Sequence, residues 1–203
     1  MTRITKPPYE RRKEILDTAL ELFMKKGYES TSIGDIVEKI GVAQGLFYYY
    51  FKSKEEVYRA ALEQYTDEFA SKLQDIILDS SIPLVKKIEV ILKIMDDMFA
   101  GSEHAFMEDL HRAEHIEMDY RLSTHVAQLL IEPLTGILEN LNEQNKIKLE
   151  NAEFTATFLI FGIYGLVHGH QDVAHNKEHL KTDEIICLAA RVFGITPEKL
   201  KEI

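Results

Sequence analysis

The 203-residue chain has no tryptophan, one cysteine and five prolines. A single cysteine, Cys187, excludes an intrachain disulfide framework and fits a reducing compartment. It lies in an apolar helical pattern, where a small buried hydrophobe is the plainer reading than a redox sensor. Long apolar runs are also lacking. The most hydrophobic stretch, Phe158 to Val167, is about ten residues, well short of the ~20 that span a bilayer. The opening MTRITKPPYERRKEI lacks the apolar stretch of a secretory signal, so a cytoplasmic protein with no membrane partner is expected. There is no glycine-rich phosphate loop, nucleophile elbow or CxxC pair, so no residue argues for an enzyme, a cofactor or a catalytic site. Strand alternation and internal repeats are absent too.

What is present is a helix-forming chain, 45% hydrophobic, with enough apolar content for a packed core. The formal net charge of −10 is unevenly distributed. Residues 1–55 carry ten Lys/Arg against eight Asp/Glu, and the remainder fourteen against twenty-six. A mildly basic head on an acidic body approaches a polyanion in only one orientation. Arg3, Lys6, Arg11, Arg12 and Lys13 could add phosphate contacts from the N-terminal arm or first helix; solvated charge is the plainer reading of each.

Residues 31–57, TSIGDIVEKIGVAQGLFYYYFKSKEEV, hold the densest signal. Thr31 and Ser32 are capping residues, and Asp35 stands three after Ser32, close to a capping-box spacing. Ile33, Ile36, Val37 and Ile40 form one apolar stripe, and Gly41 ends the helix where positive φ is wanted. A second helix follows over about 43–51. Helix, glycine turn and helix make the unit that lays its second helix in a DNA major groove. At about 100° per residue, Phe47 and Phe51 fall on one face as anchors. The opposite side presents Gly45, Leu46, Tyr48 and Tyr49, with Gln44 at the exposed N-terminal end.

Glutamine pairs with an adenine edge, leucine touches a thymine methyl, and tyrosine hydroxyls reach phosphates. Ser53-Lys54-Glu55-Glu56 then forms a further capping box, whose helix N-terminus and Lys54 suit a phosphate. The bland alternative is a helical hairpin with amphipathic surface tyrosines. Three consecutive tyrosines on a surface helix nevertheless call for a partner.

These residues resemble the DNA-binding domain of TetR-type transcriptional repressors: a threonine-led helix, Gly-Val, a small or polar residue, x-Gly, an aromatic run ending in Phe, and a Ser/Asn-Lys-Glu cap. The chain supplies Thr31, Ile36, Gly41-Val42, Gly45, Phe47, Tyr48, Tyr50-Phe51, Lys52 and Ser53-Lys54-Glu55 in that order. The preceding helix fits as well, with Ile15, Ala19, Leu22 and Phe23 inward and then Gly27-Tyr28. The resemblance covers about residues 9–70. Ala43 stands where many members carry Ser or Thr, and Tyr50 where many carry His.

It implies an all-α, TetR-like protein: an N-terminal three-helix bundle with a helix-turn-helix at about 32–51, plus a C-terminal helical bundle, about nine to ten helices in all. Residues 1–55 would bind DNA, and 56–203 would bind effector and dimerise. The implied partners are palindromic double-stranded operator DNA, a hydrophobic small-molecule effector and a second copy. The expected DNA contacts are Thr31, Ser32, Gln44, Gly45, Leu46, Tyr48, Tyr49, Tyr50 and Lys54.

Further helices are expected over about 9–26, 54–79, 83–100, 103–117, 119–146 with a kink or break at Pro133, 152–175 and 183–193. A terminal turn should open at Thr196-Pro197. The segment AEFTATFLIFGIYGLVHGH is apolar nearly all round and must bury two faces. With 183–193 it reads as half of a four-helix dimer interface carrying Phe158, Phe161, Gly162, Gly165, Gly169 and Cys187; a central core helix is the other reading.

Residues 91–118 hold Met95, Met98, Met107 and Met118 with Phe99 and Phe106, a plastic apolar wall suited to an effector. Ordinary core filling explains the same residues equally well. Asp96, Asp97, Glu108 and Asp109 nearby would admit a cationic ligand or simply face water. Glu108, His111 and His115 share a helical face, and His168, His170, His175 and His179 cluster later. The local HRAEH is not HExxH, so pocket or surface histidines are expected and no metal. A helical ligand-binding or scaffold protein without DNA binding is the alternative function, and it leaves the aromatic helix unexplained.

Overall fold

A computed structural model describes residues 6–100, 116–168 and 181–203, and every regular element among them is an α-helix. In chain order these are α1 (Pro8–Lys26), α2 (Ile33–Ile40), α3 (Gln44–Tyr50), α4 (Lys54–Leu78), α5 (Leu84–Ala100), α6 (Ile116–Glu143), α7 (Ala152–His168), α8 (Thr182–Val192) and α9 (Pro197–Leu200). The expected all-α architecture is what folds. The segment expected as a helix over 103–117 lies, except for its last two residues, outside the described residues, as does 169–175 of the helix expected to follow Asn151.

Two compact units divide the chain. The first comprises Met1–Asp67 and Ala100–Leu122, the second Glu68–Phe99 and Ser123–Ile203. In the first, α1 packs on α2 and α2 on α3. α1 begins at Pro8, whose missing N–H costs nothing in the first helical turn. Ile15, Leu16, Ala19, Leu22 and Phe23 are buried along one side of it. Ile36 and Val37 of α2, Phe47 and Phe51 around α3, and Val57, Tyr58, Ala61 and Leu62 of α4 are buried with them. Phe23, Tyr28 and Tyr58 form an aromatic cluster, the last two with centroids 4.5 Å apart and the Phe23–Tyr58 pair edge-on at 5.0 Å. Each fully buried aromatic contributes about 1.5–3 kcal/mol, so this small unit depends on few residues.

The second unit has two apolar clusters. One joins Leu84 and Val85 of α5, Leu138 and Leu141 of α6, Ala156 of α7, Ile186, Ala189 and Ala190 of α8, and Leu200 of α9. The other joins Leu73 and Ile77 of α4 with Leu130 of α6. Asn151 caps α7, its Oδ1 accepting from the Phe154 N–H at 2.7 Å. α6 runs through Pro133 without a break, contrary to the simplest reading of an interior proline. Among the described residues, no helix is long and apolar enough to cross a membrane.

Candidate nucleic-acid interface

The α2–α3 turn is built locally. Ser32 is the N-cap of α2: its Oγ accepts from the Asp35 N–H at 3.1 Å, and the Asp35 carboxylate accepts from the Ser32 N–H at 2.8 Å. The reciprocal capping box anticipated from the spacing is complete. The Ser32 hydroxyl, donating to the same carboxylate at 2.6 Å, then the Ser32 N–H and Lys26 at 3.2 Å, hold the Asp35 carboxyl down to about 2. At the other end Gly41 adopts φ 76°, ψ 37°. Its N–H and that of Val42 close back on Glu38 and Val37, the Schellman pattern that turns the chain sharply into α3.

Burial sets the facing of α3. Phe47 is fully buried and Phe51 nearly so, which leaves Tyr48 half exposed and Tyr49 76% exposed. Gln44 and Gly45 are exposed, Leu46 and Tyr50 half-buried. A Cβ at Gly45 would meet nothing, so the backbone there lies open to an approaching partner. Lys52, exposed just beyond α3, is a candidate phosphate contact not singled out from the sequence.

Two expected contacts are placed differently. Thr31 is 1% exposed, and its hydroxyl donates to the carbonyl of Gly27 at 2.8 Å and that of Leu22 at 3.3 Å. Its side chain therefore belongs to the α1–α2 joint, which corrects its assignment as a DNA contact. The pull of two carbonyls at the end of α1 outweighs solvation of a single hydroxyl. Lys54 is partly turned inward. Its Nζ donates to the Tyr28 carbonyl at 2.9 Å and sits 4.0 Å from the Tyr28 ring centroid. That leaves two of its three N–H donors for a phosphate. At the same helix start, Ser53 Oγ accepts from the Glu56 N–H, while the Glu56 carboxylate reaches past the cap to the Lys52 N–H at 2.6 Å.

The α1 cations also have partners within the chain. Lys6 and Arg11 pair with Glu14, Lys13 lies 3.6 Å from Asp17, and Arg12 stacks 4.9 Å over Phe51. Arg3 lies outside the described residues.

The same unit contains a cleft of about 500 Å³. Tyr28, Tyr58, Met118 and Leu122 give it aromatic and apolar walls, and Glu55, Arg59, Glu63, Glu117 and Arg121 its charged lining. Among the described residues of the segment expected to wall an effector site, Glu117 and Met118 line it. Met95 is half-buried on α5, and Met98 and Phe99 follow on the same helix. Phe106, Met107, His111 and His115 lie outside the described residues, as do Glu108, His170, His175 and His179.

On α7, Ala156 faces inward at 0% exposure, while Phe154 and Phe158 stand 72% and 56% exposed. Phe161 is half-buried, and a Cβ at Gly162 or Gly165 would meet nothing. Leu166, and Leu188 of α8, are also exposed; Cys187 is half-buried. Phe154, Leu166 and Leu188 extend the apolar face beyond the residues expected from sequence. Gly169 lies outside the described residues.

Residues 15–61 match the family described as bacterial regulatory proteins, tetR family. The helix-turn-helix repressor ComR of Escherichia coli is 44% identical over 61 residues, 30% of this chain and 29% of that protein. The fatty acid metabolism regulator protein of Bacillus subtilis is 25% identical over 150 residues, covering 73% and 77%. The crystal structure of a tetR-family regulator from Mesorhizobium loti superposes with a TM-score of 0.64 at 14% identity, covering 97% of this chain and 96% of that one. The match spans only about a quarter of the length of the first curated relatives.

The helix-turn-helix head is thus that of the tetR family over residues 15–61, and the helical fold of the chain is that of the tetR-family structures it superposes on.

Proposed function

We propose that the protein is a homodimeric repressor that binds a palindromic operator through α3 and leaves it when a hydrophobic small molecule binds. The observation that carries this reading is Tyr48 and Tyr49, exposed on a helix whose Phe47 is fully buried behind a fixed turn. Aromatic groups held outward on a rigid helix cost solvation unless a partner covers them. Gln44 would read a base edge, Leu46 and the open Gly45 would allow close approach, and Ser32, Tyr50 and Lys54 would steady the phosphates.

The working division is a DNA-binding part at 1–55 and an effector-binding and dimerisation part at 56–203. Two heads would reach successive major grooves about 34–36 Å apart, which requires two copies. The outward apolar face of α7 and α8 supports that pairing, since a helix apolar on both sides is stable only when both are covered. An effector preferring the shape that spoils the spacing would release DNA. The protein would act in the cytoplasm, on DNA, without enzymatic chemistry.

Selection of bound fragments from a random duplex pool tests this directly. A palindromic sequence should be enriched, with affinity that falls as salt rises. No enrichment at moderate salt would refute the reading. A thermal-shift screen of lipophilic cations, neutral lipophiles and fatty acids should find a stabilising class that also weakens operator binding by the reciprocal factor. Stabilisation by acids alone would eliminate a cationic effector.

A further inference from the structure

Gly27 closes α1 at φ 78°, a conformation that glycine takes readily, and its N–H returns to the Phe23 carbonyl at 2.8 Å. The chain doubles back there. The next side chain, Tyr28, lands against Phe23 at 5.8 Å between ring centroids and against Tyr58 at 4.5 Å. Phe23 is fully buried and Tyr58 1% exposed, so the Tyr28 ring rests on a fixed floor.

Lys54, the first residue of α4, reaches this ring from 26 positions away. Its Nζ stands 4.0 Å from the Tyr28 centroid, inside the ~6 Å over which an aromatic face attracts a cation. The same Nζ donates to the Tyr28 carbonyl at 2.9 Å. That oxygen also accepts from the Thr31 N–H at 3.2 Å, in the turn that leads to Ser32, the N-cap of α2. The ammonium is thus held beside the entrance to α2, and every part of the arrangement lies within the first unit.

What holds it is neutral. Lys26 and Lys39 of the same unit pair with Asp35 at 3.2 Å and Glu21 at 2.5 Å, and a carboxylate partner cancels much of the field a phosphate would meet. A ring and a carbonyl fix an ammonium without cancelling its charge. The acidic side chains next to Lys54 are engaged elsewhere, Glu55 with Arg59 at 3.1 Å and Glu56 with the Lys52 N–H at 2.6 Å. Pinning a lysine costs rotamer freedom. Here folding pins it in advance, so a phosphate would meet a cation already in place. We propose that Tyr28 is a positioning residue for DNA binding: it presets the Lys54 ammonium for a phosphate and leaves its charge whole. The role rests on the DNA-binding reading above.

Full-length wild type, Tyr28→Phe and Tyr28→Leu test it, each made also in a Lys54→Met background. Binding is followed by fluorescence anisotropy at a temperature where every variant is folded by circular dichroism. Tyr28→Leu should weaken the selected operator and random duplex alike, by about threefold to tenfold, because phosphate contacts carry no sequence information. Its slope of log affinity against log salt should flatten by up to about one. Tyr28→Phe, which keeps the ring, should recover binding to within about twofold of wild type. In the Lys54→Met background, Tyr28→Leu should cost less than about twofold. The pairing is read without DNA from the Lys54 ε-methylene protons, which the ring should shift upfield in wild type and Tyr28→Phe but not in Tyr28→Leu.

An equal loss in both backgrounds would mean that Tyr28 acts through packing alone and would overturn the role. Tighter binding by Tyr28→Leu would overturn it too, since the ring would then be holding Lys54 away from DNA. Unshifted ε-methylene protons in the wild type would overturn the pairing. A wild-type chain that binds no duplex would overturn the DNA-binding reading and the positioning role with it, while the proton shifts would still report on the pairing itself.

Discussion

Replacing Thr31 with valine separates a structural threonine from a DNA-contacting one. The two side chains have nearly the same shape, so the change removes little besides a hydroxyl. That hydroxyl donates to Gly27 at 2.8 Å and to Leu22 at 3.3 Å, and the residue is 1% exposed. A single hydrogen cannot serve both oxygens fully, and the Leu22 carbonyl also lies within α1, where helical bonding can satisfy it. The loss is therefore close to one buried hydrogen bond, about 1–2 kcal/mol. For a chain of this length, that lowers the melting temperature by about 2–8 °C.

Differential scanning calorimetry or circular dichroism at neutral pH measures the shift. Fluorescence anisotropy with the selected operator at about 20 °C, where the variant remains folded, should show affinity within about twofold of wild type. The reasoning is refuted if Thr31→Val melts within about 1 °C of wild type yet loses operator affinity by about tenfold, a factor worth about 1.4 kcal/mol. That result would put the hydroxyl on the DNA.

Other perturbations probe other parts. Gln44→Ala should flatten preference at one base position by about 1–3 kcal/mol in a binding-site selection, while Lys54→Ala should weaken specific and random DNA alike. Because Lys54 also holds Tyr28, its alanine variant should melt lower as well, a loss that Gln44→Ala does not share. Phe158→Asp, at a position 56% exposed, should leave the subunit folded by circular dichroism but monomeric by sedimentation and unable to hold a palindrome; a dimer that still binds would refute the α7–α8 interface. Asp35, with its folded carboxyl at about 2, adds stability above its unfolded value near 3.8 and loses it as pH falls through about 2. Asp35→Asn should therefore narrow its stability gap to wild type as the pH is lowered through that window, as seen in acid titrations followed by circular dichroism.

What can be read from the sequence is what neighbours in sequence determine. The Ser32–Asp35 box, the left-handed Gly41 and the Asn151 cap involve partners within five positions, and each is a property of local spacing. Thr31 departs from its expected role because its hydroxyl turns to carbonyls at the end of the preceding helix, Gly27 and Leu22, rather than to anything in the helix it leads. Lys54 looks like a free phosphate anchor because Tyr28 is 26 positions away. Pro133 signals a break because the donor that compensates it comes from Gln74, which no local pattern connects to Leu129. On α7 both faces are apolar, so periodicity cannot tell the inward Ala156 side from the outward Phe154–Phe158 side.

The ion pairs along α1 bear on how such a protein would find its target. A repressor competes against its own attraction to all other DNA in the cell, some 10⁶–10⁹ registers of random sequence. Each cation offered to phosphate strengthens the operator complex and that decoy population equally. Here Lys6, just ahead of α1, and Arg11 and Lys13 on it face carboxylates of that helix, and Arg12 lies over Phe51. Such a head would adhere less to each stretch of duplex it met than one offering all these cations to phosphate. A small pool of copies would then spend less time on irrelevant sequence, and occupancy of the correct site would depend on the side chains of α3 rather than on charge.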